Sequence, residues 1–129
     1  MRMSSVAAWL AVRRSAQAVD FYKAAFGALE VYRLDGGEKG IVARLSADGA
    51  EFWVSEESPE HENYSPESLG GSTARMILTV SDPDAVFAQA VAAGAIEVHP
   101  VVEMYGWRVG RVLDPYGHHW EVGHPLDAS

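Results

Sequence analysis

The sequence predicts an α+β fold in which two βαβββ modules form a curled mixed sheet. The first observation is an internal repeat at a constant offset of 67, between residues 18–31 (AVDFYKAAFGALEV) and residues 85–98 (AVFAQAVAAGAIEV). The second is that strand-like strings flank each copy at an offset of 68, as in residues 49–54 and residues 117–122. A repeat of this length indicates two copies of one small module, because solenoids need several shorter units.

The first module begins with a strand over residues 6–13, which is rich in Val, Leu and Trp. A helix over residues 16–26 follows, with Ser15 as its predicted N-cap and Gly27 as its C-terminal cap. The apolar stripe of this helix comprises Val19, Tyr22 and Phe26. Three more strands are predicted over residues 29–34, 40–46 and 51–55, separated by the turn signals Asp35-Gly36-Gly37 and Asp48-Gly49.

The second module has the same order. A strand over residues 74–81 leads into a helix over residues 83–93, for which Asp82 is the predicted N-cap and Gly94 the terminator. The apolar stripe here comprises Val86, Ala90 and Ala93. The three strands that follow are predicted over residues 96–102, 108–113 and 118–123.

A polar, acidic stretch over residues 57–72 joins the modules. It contains two prolines and a Gly-Gly pair, so we expect a loop with no strong structure of its own. The chain as a whole is predicted to be a single domain over residues 1–129. Within it, module one spans about residues 6–56 and module two about residues 73–124.

Composition limits the classes of function. Of the 129 residues 48% are apolar, which is enough to bury a core. The net charge is −8, from 18 acidic and 10 basic residues, and this argues against nucleic acid, whose binding needs clustered Lys and Arg. No apolar run is long enough to span a membrane, and the absence of cysteine excludes disulfides and thiolate metal ligands. We therefore expect a cytoplasmic enzyme or binding protein that uses neither nucleic acid nor a membrane.

Three strings carry a family resemblance: residues 18–28 (AVDFYKAAFGA), residues 90–95 (AVAAGA) and residues 111–120 (RVLDPYGHHW). They resemble the vicinal oxygen chelate superfamily of glyoxalase I, extradiol dioxygenases, and fosfomycin- and bleomycin-resistance proteins, and within it the PhnB-like branch. The resemblance covers about residues 6–124. It implies that each module curls into a half-open cup and that paired modules form the site.

The resemblance also implies four ligand positions for a divalent metal, which fall on Ala7, Trp53, Arg75 and Glu121. Of these only Glu121 can bind a metal. Ala7 has no donor atom, the Trp53 indole can only donate a hydrogen bond, and the Arg75 guanidinium is permanently charged. We therefore expect no metal cofactor, with a divalent metal as the alternative. Arg75 and Glu121 are predicted to form an ion pair where the metal would lie.

Strand alternation places further side chains on the cup-facing side of each module, because alternate residues of a strand share a face. The predicted ligand-binding residues are Trp9, Trp53, Arg75, Trp107, His119 and Glu121. The indoles would stack on a planar aromatic ligand, and a cationic ligand would gain from cation–π contacts and from Glu121. The alternative for each Trp is ordinary packing in the core or at a dimer interface.

His119 and Glu121 are the best candidates for catalysis. They share one face of a strand, so His119 would act as a general base that Glu121 orients. The alternatives for His119 are a polar pocket residue, or a ligand with Glu121 and His99 in an irregular metal site. His118 and His124 have no evident partner and are expected at the surface or in packing.

Two functions follow from these residues. The first is a small-molecule binding protein of the bleomycin-resistance type, which sequesters a planar aromatic compound, with cationic compounds included, in a metal-free pocket. The alternative is a glyoxalase-like metal-dependent lyase, isomerase or dioxygenase with a rearranged site, or a metal-free enzyme that uses His119. We expect a homodimer, since the resemblance implies that two-module chains pair to complete two sites.

Overall fold

In a computed structural model, which describes residues 4–127, the chain forms two four-stranded sheets with helices packed against them. The elements in chain order are β1 (Ala8–Val12), α1 (Ser15–Phe26), β2 (Leu29–Asp35), β3 (Ile41–Ala47), β4 (Ala50–Glu56), α2 (Pro66–Leu69), β5 (Arg75–Thr79), α3 (Pro83–Ala93), β6 (Ile96–Met104), β7 (Trp107–Leu113) and β8 (His119–Pro125). Short 3₁₀ helices span Gly37–Lys39 and Pro59–His61. The predicted α+β class with two βαβββ modules is confirmed, and each module keeps a sheet of its own.

The two sheets have equivalent strand orders, β1-β4-β3-β2 and β5-β8-β7-β6. In each sheet the first strand of the module runs parallel to the last, and the other pairs are antiparallel. The register also repeats, because Trp9 lies opposite Trp53 in the first sheet and Ile77 lies opposite Glu121 in the second. The sequence repeat is therefore a repeat of backbone pairing.

Helix α1 begins differently from the prediction. Its cap position is Arg14, and Ser15, the predicted N-cap, is the first helical residue. A carboxylate from β4 takes over the capping role: Glu56 Oε1 accepts hydrogen bonds from the Ser15 amide at 3.0 Å and the Ser15 hydroxyl at 2.7 Å. An amide of the first turn is thus satisfied from another strand. In α3 the predicted cap is confirmed, since the Asp82 carboxylate accepts from the Ala85 amide at 3.2 Å.

Element boundaries lie within two residues of those predicted from the sequence. The hairpins run slightly further than predicted, with β6 reaching Met104 and β8 reaching Pro125. Both long helices end at the predicted glycines, where Gly27 adopts the left-handed conformation (φ 67°) that glycine tolerates without strain. None of the helices within residues 4–127 is long and apolar enough to cross a membrane.

A single hydrophobic cluster joins the two modules. The Tyr22 ring of α1 lies 5.3 Å from Phe52 of the first sheet and 5.6 Å from Trp120 of the second, measured between ring centroids. Leu10 of β1 and Leu78 of β5 both belong to this cluster. Helix α1 also packs against α3. Each sheet therefore turns one face towards the shared core and the other face away from it.

A carboxylate is buried in this core. Asp114, in the turn between β7 and β8, is 2% exposed. Its Oδ2 accepts from the Tyr22 hydroxyl and from Trp120 Nε1 (3.0 Å), and its Oδ1 accepts from the amides of Tyr116 (2.9 Å) and His118 (3.0 Å). Burial, together with the Asp114 charge, raises the pKa of Tyr22 well above its ordinary value, so that its hydroxyl remains a donor. From the sequence, Asp114 lies between the predicted strands 108–113 and 118–123, which indicates only a turn. In the structure its carboxylate joins α1 to β8 through Tyr22 and Trp120.

The linker is more ordered than the predicted loop. It contains α2, and the hydroxyl of the preceding Ser65 accepts from the Ser68 amide at 3.2 Å as a helix N-cap. Pro66 is buried, and a Cβ added to Gly117 would lie 2.7 Å from the Pro66 ring, so this segment packs closely on the β7–β8 turn. A four-residue helix is too short to give a periodic apolar pattern, which is why the sequence did not reveal it.

Replacing Asp114 with Ala should lower the free energy of unfolding by about 3 to 5 kcal/mol, because the Tyr22 hydroxyl and the Trp120 indole would remain buried without an acceptor. Urea unfolding followed by circular dichroism measures this change. Asp20→Asn is a matched control, since Asp20 is exposed on α1 and should shift the free energy by no more than about 0.5 kcal/mol. An Asp114→Ala loss no larger than that of the control would contradict the anchoring role.

Candidate functional site

Four side chains form one row across the outer face of the first sheet. Cross-strand pairing sets Trp9 of β1 beside Trp53 of β4, Trp53 beside Arg44 of β3, and Arg44 beside Tyr32 of β2. The indoles of Trp9 and Trp53 stack, with ring centroids 5.6 Å apart and planes inclined by 15°. The Trp9 Nε1 donates to the Ser55 hydroxyl at 2.9 Å, which fixes the ring. We call this row the tryptophan face.

The tryptophan face is solvent-accessible, and Arg44 and Tyr32 contact its indoles. Trp9 is 52% exposed and Tyr32 is 47% exposed. The Arg44 guanidinium lies over the Trp53 ring, 5.5 Å from its centroid, in a cation–π arrangement. The Tyr32 ring meets Trp53 edge-on, at 5.9 Å between centroids. Together these contacts hold a flat, polarised aromatic surface open to solvent.

The outer face of the second sheet carries charge where the first carries indoles. Arg75 Nε lies 3.1 Å from Glu121 Oε2, so the predicted ion pair is present. Beside it, Trp107, Val109 and Ile77 line a cavity of about 540 Å³ together with both members of the pair. We call the face that bears Arg75, Trp107, Arg111, His119 and Glu121 the charged face.

The structure divides the six predicted ligand-binding residues between these two faces. Trp9 and Trp53 lie on the tryptophan face, whereas the other four lie on the charged face: Arg75, Trp107, His119 and Glu121. In the part of the chain that the structure describes, the cavity beside Trp9 shares no lining residue with those beside Glu121, although it shares residues 72–74 with the cavity beside His119. The six predicted residues therefore lie on two faces of one chain. The physical reason is the shared core, which leaves only the outward face of each sheet available.

His119 contacts a different partner from the one predicted. Its Nδ1 accepts a hydrogen bond from Arg111 Nε at 3.3 Å, while the Glu121 carboxylate is engaged with Arg75. Burial, and then the charge of Arg111, lower the pKa of His119 below its ordinary value. The ring is therefore neutral near pH 7. The arrangement in which Glu121 orients His119 as a base is replaced by an Arg111–His119 contact.

Three other histidines, His99, His118 and His124, have structural partners. His118, for which the sequence offered none, is buried, and its Nε2 donates to the Ala11 carbonyl at 2.9 Å. His124 is exposed and its Nδ1 donates to the Val80 carbonyl at 2.8 Å. His99 is also exposed, with its Nδ1 donating to the Pro100 carbonyl at 2.9 Å. All three rings bond to backbone oxygens.

The donor set at the four family metal positions does not fit a divalent ion. Ala7 offers no donor atom, Trp53 stacks on Trp9, and the Arg75 guanidinium contacts the remaining carboxylate, Glu121. A hard cation needs several oxygen or imidazole ligands, and a guanidinium beside the carboxylate competes with it. Among the described residues, no group of three or more His, Cys, Asp or Glu side chains is placed to hold a metal. The same ion pair offsets the Glu121 charge on which the expectation of a cationic ligand partly rested.

Sequence reasoning missed three residues of these faces: Arg44, Tyr32 and Arg111. The missing signal was hairpin register. The two-residue turn at Asp48-Gly49 pairs Ala47 with Ala50, and counting outwards from that pair sets Arg44 opposite Trp53. In the same way the turn after β7 sets Arg111 opposite Glu121. Register counting from turns therefore finds cross-strand neighbours that alternation within one strand does not.

The linker lines the cavity beside Trp9, which has a volume of about 650 Å³. Its Asn63 Nδ2 donates at 3.3 Å to the Ser55 hydroxyl, which also accepts from Trp9. Glu57 holds the rest of the segment, since its two carboxylate oxygens accept from the Ser65 amide and the Ser68 hydroxyl, each at 2.9 Å. The linker is thus hydrogen-bonded to the edge of the tryptophan face.

Comparison with known proteins gives one family and several relatives. The model of the Glyoxalase/Bleomycin resistance protein/Dioxygenase superfamily matches residues 2–122. An uncharacterized protein of Mycobacterium bovis is 39% identical over 122 residues, which are 91% of this chain and 80% of that protein.

Two solved structures illustrate the structural similarity. TioX from a Micromonospora species superposes with a TM-score of 0.75 at 31% identity, covering 96% of this chain and 100% of that one. TnmS3, an antibiotic-binding protein from a Streptomyces species, has a TM-score of 0.68 at 21% identity, with 97% and 99% of the two chains covered. At that identity TnmS3 establishes a likeness of fold.

Acid should release the linker through Glu57. The Ser65 amide, followed in importance by the Ser68 hydroxyl, lowers the pKa of Glu57 from its ordinary value of 4.5. A carboxyl with a lowered folded-state pKa adds stability that is complete above its unfolded pKa and is lost as the pH falls through the folded pKa. The amide proton shift of Ser65, followed by NMR, should therefore titrate with a midpoint below 4.5. Glu57→Gln should abolish this titration, and a wild-type midpoint at or above 4.5 would show that Glu57 does not hold the linker.

Proposed function

Because the chain belongs to the Glyoxalase/Bleomycin resistance protein/Dioxygenase superfamily, as its sequence predicted, we propose that it is a small-molecule binding protein that holds a planar aromatic compound without a metal. The observation that carries the proposal is the tryptophan face. Trp9 and Trp53 are stacked before any ligand binds, and Trp9 is held by its hydrogen bond to Ser55, yet Trp9 is still 52% exposed. An exposed apolar surface of this kind marks a place where something binds.

The chemistry of the tryptophan face favours a flat ring system. A planar ligand laid on Trp9 would continue the stack that Trp9 and Trp53 begin, and offset stacking of aromatic rings contributes about 0.5 to 1.5 kcal/mol beyond the area buried. The stack is ordered before binding, so little side-chain entropy is lost on association. Arg44 on Trp53 polarises the stack further. Aromatic character is therefore the property of the ligand that this face selects.

The contacts of the charged face also support a role in ligand binding. Glu121, the one family ligand position that keeps a carboxylate, is held by Arg75, so the side chains at these positions support recognition better than metal-assisted chemistry. TnmS3, which has the same fold, is an antibiotic-binding protein. That likeness supports the sequestration of an antibiotic-like aromatic compound as the biological form of the activity.

We further propose that two chains form a homodimer in which the tryptophan face of one chain lies opposite the charged face of its partner. Both faces point away from the shared core, and each exposes large apolar side chains, with Ile77 at 68% exposure beside Arg75 and Glu121. One face offers indoles and the other offers charge, so together they would enclose a ligand that either alone leaves half in solvent. A dimer of this kind has two equivalent sites.

Planar aromatic compounds should quench the intrinsic fluorescence of the protein, because they would stack on Trp9 and so extend the Trp9–Trp53 stack. A titration of wild-type protein with acridine and quinoline derivatives measures the effect. Trp53→Ala should weaken the response at least roughly tenfold by removing half of the stack, whereas Trp53→Phe, which keeps an aromatic ring, should retain most of it.

Two outcomes of this experiment would contradict the proposal. Equal quenching in wild type and Trp53→Ala would mean that the compounds bind elsewhere. Metal analysis of protein purified without chelators gives the second outcome, in which a stoichiometric divalent metal that disappears in Glu121→Ala would establish the metal-dependent alternative.

Mixing two defective variants tests whether the site is shared between chains. Trp53→Ala damages the tryptophan face and Ile77→Arg obstructs the charged face, so each homodimer alone should bind poorly. In heterodimers formed by random exchange, one of the two sites combines two intact faces, which should restore about a quarter of the wild-type sites. Light scattering confirms the dimer, and calorimetry counts the sites.

The control for this mixture is Trp53→Ala with Trp9→Ala. Both changes lie on the same face, so every site of their heterodimer keeps one defect and binding should not return. Restoration in the control mixture, or none in the test mixture, would show that the site does not combine faces from two chains.

A further inference from the structure

A second cavity of the charged face is lined by hydrogen-bond donors. It has a volume of about 470 Å³ and lies between the chain segment that precedes β5 and strands β7 and β8. Its lining residues are Ser72, Thr73, Ala74, Arg75, Ile77, Arg111 and His119. We call it the arginine cavity. None of the described residues that line it carries a carboxylate, whereas Glu121 lines the two neighbouring cavities.

The two guanidinium groups differ in how their charge is compensated. Arg75 is paired with Glu121, at 3.1 Å. Within residues 4–127, no carboxylate lies within 4.0 Å of the Arg111 guanidinium, whose Nε is bonded to the neutral acceptor His119 Nδ1. Two positive charges and one negative charge leave the neighbourhood with a net charge of +1. The cavity is therefore positive within a chain whose net charge is −8.

His119 adds a donor to this cavity. Its Nδ1 accepts from Arg111, so in the neutral ring the proton resides on Nε2, which becomes a donor. Ser72 and Thr73 also line the cavity, and the Ser72 hydroxyl donates to the Ala74 carbonyl at 3.2 Å. A group bound in the cavity would meet guanidinium and imidazole donors.

We infer that the arginine cavity binds an oxyanion, a carboxylate or phosphoryl group, and that the ligand of this protein is therefore an aromatic acid. The inference rests on the proposed function for the aromatic part and on Arg75, Arg111 and His119 for the acid. Guanidinium forks match the geometry of carboxylate and phosphate oxygens, and such charge-assisted bonds are about twice as strong as neutral ones. A cationic group would meet the uncompensated Arg111 charge here without any carboxylate to offset it.

Calorimetry with naphthalene probes that differ in one substituent tests the inference. The probes are 2-naphthoate, 2-naphthyl phosphate, neutral 2-naphthamide and the cation 2-naphthylmethylammonium. The two anions should bind wild-type protein roughly 10- to 100-fold more tightly than 2-naphthamide, as expected for one or two charge-assisted hydrogen bonds, and the cation should bind more weakly still. The relative affinities of the two anions identify the preferred oxyanion.

Arg111→Gln should remove the preference for the two anions over 2-naphthamide, so that the affinity ratio falls to about one. The matched control is Arg108→Gln, which removes the same charge from the same strand at a position that pairs with Asp84 instead of lining the cavity. It should leave the preference intact. Arg111→Lys keeps the charge without the planar fork and should retain part of the preference, which guards against a folding defect in Arg111→Gln.

The possible outcomes separate this inference from the proposed function. If 2-naphthamide binds through Trp53 but the anions bind no more tightly, or if Arg108→Gln and Arg111→Gln weaken them alike, the oxyanion site is wrong and aromatic binding stands. A second outcome is that no naphthalene compound binds, but inorganic phosphate shifts the NMR signals of His119 in wild type and not in Arg111→Gln. In that case the oxyanion site stands and aromatic binding is wrong. If neither the naphthalene compounds nor phosphate bind, both are wrong.

Discussion

The buried Asp114 carboxylate is the interaction on which the rest of the structure depends. It accepts from Tyr22 on α1 and from Trp120 on β8, so it ties a helix of one module to a strand of the other. It also accepts from the amides of Tyr116 and His118 and thereby fixes the turn that starts β8. A buried charge of this kind is tolerated only when its hydrogen-bonding capacity is met, and four donors meet it. Because strand residues alternate between faces, inward anchoring of Trp120 obliges its neighbours on either side to point outward. The position of the charged face is a consequence of a contact in the core.

The same register produces two surfaces of opposite chemistry. Across the first sheet one row reads Trp9, Trp53, Arg44 and Tyr32, and the equivalent row of the second sheet reads Ile77, Glu121, Arg111 and His99. Backbone pairing places both rows alike, so their difference lies only in the side chains. Stacked indoles give the first row area and planarity, whereas the Arg111 guanidinium gives the second row charge and direction. A flat molecule with one acidic group needs both properties, and neither row has both.

Much of the fold could be predicted from the sequence, because the internal repeat gives two copies of the same pattern of strands and helix. The order of elements along the chain and the helix positions followed from the two copies of the repeat. The Arg75–Glu121 pair followed from the ligand positions that the family resemblance implies, and the repeat relates the same positions. The Glu56 cap on α1 could not be predicted, because it joins residues 41 positions apart. Likewise, nothing local distinguishes the buried Asp114 from an ordinary turn aspartate, and the separation of the two faces depends on how the modules share a core. Periodicity predicts which face of its own helix or strand a side chain occupies, but it does not predict which other element that face contacts.

The Arg75–Glu121 pair indicates what kind of recognition remains where the family resemblance implies a metal. A guanidinium keeps positive charge at that position, but it spreads the charge over a planar fork and has no open coordination site. A divalent ion would polarise a bound oxygen strongly, which is the basis of metal-assisted chemistry. The fork instead holds an oxyanion by directed hydrogen bonds and leaves its bonds intact. A metal-free reaction would have to use His119 as its base, yet the Nδ1 of that ring already accepts from Arg111. Only Nε2 would remain, and in the neutral ring that atom already carries the proton, so the ring presents a donor where a base would need a lone pair. These contacts of the charged face support the proposal that it binds a ligand without transforming it.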